Sequence, residues 1–537
     1  MKKILLGLVC AAALNHMSCT NLAPRSPSLV VMLVVDQMRP DLLTRFDHLY
    51  EGGFRWLIDH GISFNDAHHE HSYTVTGPGH AAIAFGQHPG KIGLIGNSYY
   101  DRIKKKNVNC VEDPYAKVIG ATQGKARSMR QYDTKGLGDW IKEKNPDSKV
   151  ISLGGKDRTA CILGGKDPDL AIYYNKKGKF ISSDYYVDEL PFWLSDFNEK
   201  LDIGSYKDSL WERSLPEKVY LDHARIDHYE GEVDDYDNSV YSPVFPIGVN
   251  PQTDPSSVFM DRPWLEREII KIAKMAIDNE SLGRQGAPDL LAIGFSAMDG
   301  MAHNYGPFSQ EIMDAYIKLD RYLGDLIEHI NDGVGLENVV FVLTADHGGL
   351  PLPEHVVENG GKGGRINPKH IAEALTWVDE ECEEVFGKKL YHRDGGNYFL
   401  DMARIKKANI RPEQIYEIID GYLTKVDGIE RMAIKQDILN GRDTSNINQR
   451  IKNMLHSENT PDIFPIVAYG YISSYPHGTT HGSPYDYDTN VPVIVAREEF
   501  KGRENPSRIA TVDIAPTIAK YLGIDIPDYC DGKEFEL

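Results

Sequence analysis

Cysteine is scarce in this 537-residue chain. The six residues, Cys10, Cys19, Cys110, Cys161, Cys382 and Cys530, form no Cys-x-x-Cys pair. That spacing excludes a cysteine-built zinc site and a disulfide-dense scaffold. One or two disulfides stay open after export, and spacing assigns none. Long apolar runs are also missing. The longest N-terminal one, Ile4–Leu14, is too short to span a bilayer. Basic residues are outnumbered, 59 against 79 acids, for a formal charge of −20. A non-specific nucleic-acid partner is therefore not expected, because phosphate backbones need clustered cations. There is no internal repeat and no low-complexity linker. What remains, 41% hydrophobic and 26% charged, is enough for a large core with insertions.

Residues 1–19 read as an export signal. Lys2 and Lys3 precede the short apolar run, and Cys19 follows Ser18 as in lipid-accepting cysteines. His16 fits that lipoprotein pattern poorly, so export with a lipid anchor through Cys19 and export without one both stay open. A periplasmic or outer-membrane location in a bacterium follows from either.

The chemistry-bearing stretch is His71–His80, HSYTVTGPGH, followed by Ala81–Phe85. Threonine caps helices well and proline favours a first turn, so Thr76 is expected as an N-cap at a helix mouth. Amides and dipole there favour an anion; taken alone, the stretch is also simply a capped helix start. Ser28–Asp36 is an apolar β-branched run ending in an acid, as a buried parallel strand would. Asp36 then sits at a carboxyl end, where α/β sheets bind ligands, or serves a turn. Asn97 lies in a turn leading to an extended piece. Lys156 and Arg158, two apart after Gly154-Gly155, would aim two cations the same way on an extended backbone. A lone Lys-Asp-Arg is also ordinary solvated surface.

A strand from Asp289 leads to Asp299 and His303, four apart, a spacing that faces one metal on a helix; a loop is equally open. Asn338–Ala345 is another buried strand, ending in Asp346-His347-Gly348-Gly349. His481 lies in a glycine-bounded loop before Val491–Val495. Alternating strands and helices indicate an α/β core with a mainly parallel sheet flanked by helices. The expected division is signal 1–19, core 28–164, inserted cap 165–261, core 262–350, insertion 351–468 and core 469–537. Three aspartates and three histidines at separate strand ends, beside a threonine, suit two Zn²⁺ better than Ca²⁺ or Mg²⁺.

In order and wording these motifs resemble the alkaline phosphatase superfamily. They are most similar to its zinc enzymes of the phosphate-irrepressible, threonine-nucleophile type, which share a frame with the nucleotide pyrophosphatase/phosphodiesterases. The resemblance covers the core and leaves the insertions aside. It implies one zinc on Asp36, Asp346, His347 and the Thr76 oxygen, and a second on Asp299, His303 and His481. It implies that Thr76 forms a phosphothreonine, and that Asn97, Lys156, Arg158 and the Gly77 amide bind the phosphoryl oxygens. The cation pair favours phosphomonoesters, whose near-dianionic group needs compensation; a phosphodiesterase of the same superfamily is the alternative. A sulfatase is excluded because no Cys-x-Pro-x-Arg motif occurs. Small-molecule monoester substrates and a monomer are expected.

Overall fold

The computed structural model describes residues 26–233, 243–249, 253–441, 445–473 and 475–537. The export signal and Cys19 lie outside the described residues. Among those described, no helix is long and apolar enough to cross a membrane, and Cys110, Cys161, Cys382 and Cys530 are all free thiols.

The core is built on β1 (Leu29–Val35), whose seven residues are all buried. Alternation splits them between two apolar layers. Leu29, Val31, Leu33 and Val35 join one cluster and Val30, Met32 and Val34 the other. After β1 come α1 (Gly53–Asp59), β2 (Gly61–His68), α2 (Thr76–Phe85) and α3 (Leu137–Lys144). Next are β3 (Val150–Gly154), α4 (Asp157–Gly164), β4 (Leu170–Tyr174) and β5 (Phe180–Ser183). Then follow α5 (Pro263–Asn279), β6 (Asp289–Phe295), α6 (Ala297–Tyr305), α7 (Gln310–Gly333) and β7 (Val339–Thr344). Beyond the second insertion the core resumes with β8 (Asn490–Ala496) and α8 (Ile514–Tyr521).

The principal strands run in the order β2-β8-β7-β1-β6-β3-β4-β5 within an eleven-stranded sheet. From β7 to β4 they are parallel, whereas β8 runs antiparallel between β7 and β2, and β5 turns back on β4. Val34 lies level with Thr344 on one side and Gly294 on the other, and Gly294 with Gly154. Four adjacent strands therefore end flush. Helices α5 and α7 cover one face, through residues such as Ile269, Ile272, Leu319 and Leu323. Helices α2, α3 and α8 cover the other, through Ile83, Phe85, Trp140 and Ile518. The mainly parallel, helix-flanked α/β core is as expected.

One contact ties α1 to α7 with unusual density. Asp320 accepts N–H bonds from Glu51, Gly52, Phe54 and Arg55, at 2.7–3.4 Å. It is a remote cap for the first turn of α1. Gly52 permits the approach, since a Cβ there would lie 2.4 Å from the Asp320 carbonyl oxygen. Asp320→Ala should cost about 2–4 kcal/mol by stranding buried donors. A lowered midpoint in thermal or urea unfolding checks it.

Two expected boundaries shift. The stretch 165–261 is not purely an insertion, because β4 and β5 within it belong to the main sheet. They are only five and four residues long, and their tyrosines and serines hide them among polar neighbours. The second insertion is a separate α/β unit with its own four-stranded antiparallel sheet (Tyr391–Asp394, Asn397–Leu400, Ile463–Val467, Ile429–Ile434). Helices Pro368–Phe386 and Pro412–Leu423 pack on it through Val378, Ile415 and Ile419. Tyr471–Ser473 pairs with Gly364–Ile366 inside this unit, so the unit extends past residue 468 to 473.

Candidate active site

The four flush strand ends deliver the site. Asp36 follows β1, Asp346 and His347 follow β7, α6 follows β6, and Lys156 follows β3. Ligand sites of α/β sheets form at such carboxyl ends because the chain leaves the ladder there with its side chains free. Helix α6 settles the Asp299/His303 spacing as helical: both lie on Ala297–Tyr305. His481 arrives from the loop before β8.

These residues come together as two groups. Asp36, Asp346 and His347 form one and Asp299, His303 and His481 the other, each with ligand atoms within 4.8 Å of one another. His347 Nε2 lies 3.4 Å from Asp36 Oδ1 and 3.5 Å from Asp346 Oδ2. His303 and His481 each place Nε2 3.3 Å from Asp299 Oδ1. The rings of His347 and His481 stack at 3.6 Å between centroids, joining the groups.

All three histidines are oriented alike. Nδ1 of His303, His481 and His347 faces the carbonyl oxygens of Thr479, Thr74 and Gly348 at 2.8, 2.8 and 2.9 Å. Donation there puts the proton on Nδ1 and leaves each Nε2 lone pair aimed inward, as metal-binding imidazoles need. Asp36 Oδ1, Asp346 Oδ2 and His347 Nε2 are buried without a hydrogen-bond partner. Buried polar atoms are seldom left so. Three carboxylates share this space with the single ammonium of Lys156, and among the described residues the basic side chains within 4 Å of the Asp346 carboxylate are the imidazoles of His80 and His347. Burial and the charge of Asp36 push the Asp346 carboxyl above its ordinary range. A divalent cation in each group would satisfy the orphaned atoms and the excess negative charge. Mixed imidazole and carboxylate donors suit zinc.

Thr76 is not the N-cap. Val75 holds that position and Thr76 is the first helical residue of α2, so its hydroxyl is not spent on capping. Gly79 presses this turn onto β7: a Cβ there would lie 1.8 Å from the Asp346 carbonyl oxygen. Only glycine lets Thr76 stand this close to the first group. Lys156 and Arg158 are not on an extended strand either. Lys156 is the N-cap of α4 and Arg158 lies in its first turn. Lys156 Nζ contacts Asp36 Oδ2 at 2.6 Å, Asp299 Oδ2 at 2.5 Å and Thr76 Oγ1 at 3.4 Å. Burial opposes its charge, but Asp299 and Asp36 outweigh burial and hold the ammonium above its ordinary range. Asn97 Oδ1 accepts the Gly77 N–H at 2.7 Å. The Gly77 donor is thus used internally, and it orients the Asn97 amide beside Thr76. Arg158 leaves its buried Nε unpartnered.

Three residues escaped the sequence reading. His80, one helical turn after Thr76, donates from Nδ1 to the Thr76 carbonyl at 2.8 Å and lies 3.2 Å from Asp346 Oδ2. Its only signal was the four-residue spacing. Gln37 adopts φ +64° and donates its backbone N–H to Asp346 Oδ1 at 3.2 Å. Glu266 on α5 is buried and accepts the Ala297 N–H at 2.6 Å, capping α6 from outside. Beside it, Ser296 Oγ accepts the Lys156 N–H at 3.0 Å. Burial pushes the Glu266 carboxyl up to about 8, so it is mainly protonated at neutral pH. Glu266→Ala should loosen α6 and cut affinity for metal at the second group by about tenfold or more. Glu266→Gln, which keeps the acceptor, should retain it. Metal titration of the three proteins checks this.

With this geometry established, the class follows. The chain belongs to the type I phosphodiesterase/nucleotide pyrophosphatase family, whose match spans residues 30–488, and it is a phosphoester-hydrolysing enzyme with an alkaline-phosphatase-like fold. It is 29% identical to the alkaline phosphatase PafA of Elizabethkingia meningoseptica, over 99% of this chain and 98% of that protein. It is 31% identical to the alkaline phosphatase PhoV of Synechococcus elongatus, over 94% of this chain and 92% of the other. The crystal structure of wild-type PafA superposes with a TM-score of 0.86 at 28% identity, covering 96% of this chain and 99% of that one.

Proposed function

We propose that the protein is a di-zinc alkaline phosphatase that hydrolyses small phosphomonoesters through a phosphothreonine at Thr76. The observation that carries this reading is the position of Thr76. It lies at the mouth of α2 beside two Asp/His groups, one fully buried and one partly open, with the Lys156 ammonium 3.4 Å from its hydroxyl oxygen. Zinc ions on Asp36/Asp346/His347 and Asp299/His303/His481 would lower the pKa of the Thr76 hydroxyl and stabilise the departing alkoxide. Thr76 Oγ attacks phosphorus, the ester P–O bond breaks on the opposite side, and water then cleaves the phosphothreonine. Lys156, Arg158 and the Asn97 amide hold the non-bridging oxygens and offset their charge. The relatives named alkaline phosphatases support the monoester reading. The Lys2/Lys3 leader supports export to the periplasm or outer membrane, and nothing in the site requires more than one chain.

Phosphodiesterase activity is the second reading, and one observation favours it: Lys156 is engaged by Asp36 and Asp299 rather than turned to solvent. A paired assay separates the two. On p-nitrophenyl phosphate and bis-p-nitrophenyl phosphate, the wild type should prefer the monoester strongly. Lys156→Ala/Arg158→Ala should lower monoester kcat/KM by about 10²- to 10⁴-fold and leave the diester much less affected. A wild-type preference for the diester would reverse the assignment.

A further inference from the structure

The surface beside His481 has no part in the phosphoryl chemistry above. A cleft of about 540 Å³ opens there, from Thr480 and His481 toward Phe464 and Tyr471 of the second insertion. Of the six tyrosines that line it, Tyr73 and Tyr475 are the two most exposed. Tyr73 comes three residues before Thr76, and a Cβ on Gly96 or Gly482 would lie 3.3 Å from opposite edges of its ring. The two glycines thus hold the ring from both sides. Tyr475 sets its ring parallel to that of His303, at 5° between planes and 6.2 Å between centroids. Although they are inside a cleft, these two residues remain 47% and 43% exposed. Exposed aromatic area is unfavourable in water, and a flat apolar group entering the cleft would recover it.

Direction matters as much as composition. With Thr76 against the Asp36/Asp346/His347 group, in-line displacement sends the leaving oxygen toward Asp299, His303 and His481. That is where the cleft begins. We infer that this cleft receives the alcohol portion of the ester, and that Tyr73 and Tyr475 select a planar aromatic ring joined directly to the ester oxygen. The favoured substrates are then aryl phosphomonoesters, an inference that rests on the phosphomonoesterase reading. Aliphatic phosphates fit the phosphoryl site equally well but leave the two rings uncovered.

Binding of unreactive phosphonates tests this without the bias of leaving-group reactivity. Dissociation constants for phenylphosphonate and methylphosphonate would be measured by calorimetry on the metal-loaded full chain, for wild type, Tyr73→Ala, Tyr475→Ala and Tyr73→Phe. The wild type should prefer phenylphosphonate, and the phenyl-to-methyl affinity ratio should fall about five- to tenfold in each alanine variant. Tyr73→Phe, which keeps the ring, should keep the ratio. No phenyl preference in the wild type, or an unchanged ratio in both alanine variants, would overturn the inference. Turnover of glycerol phosphate and phenyl phosphate by the wild type distinguishes the two failures. Hydrolysis of both with a flat phosphonate ratio removes the aryl subsite alone, whereas hydrolysis of neither removes the phosphomonoesterase reading and the inference with it.

Discussion

Thr76→Ala should lower kcat/KM for p-nitrophenyl phosphate by about 10³- to 10⁶-fold, the range in which loss of a nucleophile falls. That corresponds to about 4–8 kcal/mol of transition-state stabilisation. The size follows from position. Thr76 is the first residue of α2, its Oγ lies 3.4 Å from Lys156 Nζ, and Gly79 three residues on lets this turn approach the Asp346 backbone. Because Val75 is the N-cap, removing the hydroxyl strands no capped amide and the helix should persist by circular dichroism. Thr76→Ser restores the oxygen on the same backbone and should recover activity to within about tenfold of wild type. Full activity in the alanine variant would remove Thr76 from the chemistry.

Chelation should have a comparably large effect, on both activity and stability. Asp36, Asp299 and Asp346 are buried carboxylates, the first two sharing the Lys156 ammonium and the third with none, and burial of unpaired charge is costly. A metal held at 1,000 times its dissociation constant adds about 4 kcal/mol per site to the folded state. Removing both ions should abolish turnover and lower the thermal midpoint, and restoring zinc should reverse both. Magnesium or calcium alone should restore less, because imidazole donors suit the harder ions poorly. A stripped enzyme with undiminished turnover would contradict the role assigned to the two groups.

How much of this was legible in the chain depended on where the partners lie. The strands leading to Asp36, Asp299 and Asp346 are buried on both faces, so they read as apolar runs with acids at their ends. The strands after residue 165 could not be read in this way, being short and rich in tyrosine and serine. For Lys156 and Arg158, the two-residue spacing after a glycine pair suits an extended backbone, whereas α4 starts directly after Lys156, at Asp157. Thr76 is not the N-cap because the extended Val75 holds that position, although its side chain offers no cap. Glu266 was invisible because its partner, the Ala297 N–H, lies 31 residues away. Gln37 shows its role only once β1 and β7 are side by side. Such contacts are set by topology, and no local pattern encodes them.

The most direct test of the account is the metal content of the purified protein after zinc loading and desalting. Two equivalents of zinc per chain are expected in the wild type, and about one in each of His347→Ala and His303→Ala, which break different groups. One equivalent or fewer in the wild type, or two retained in either variant, would contradict a two-metal centre built on these residues.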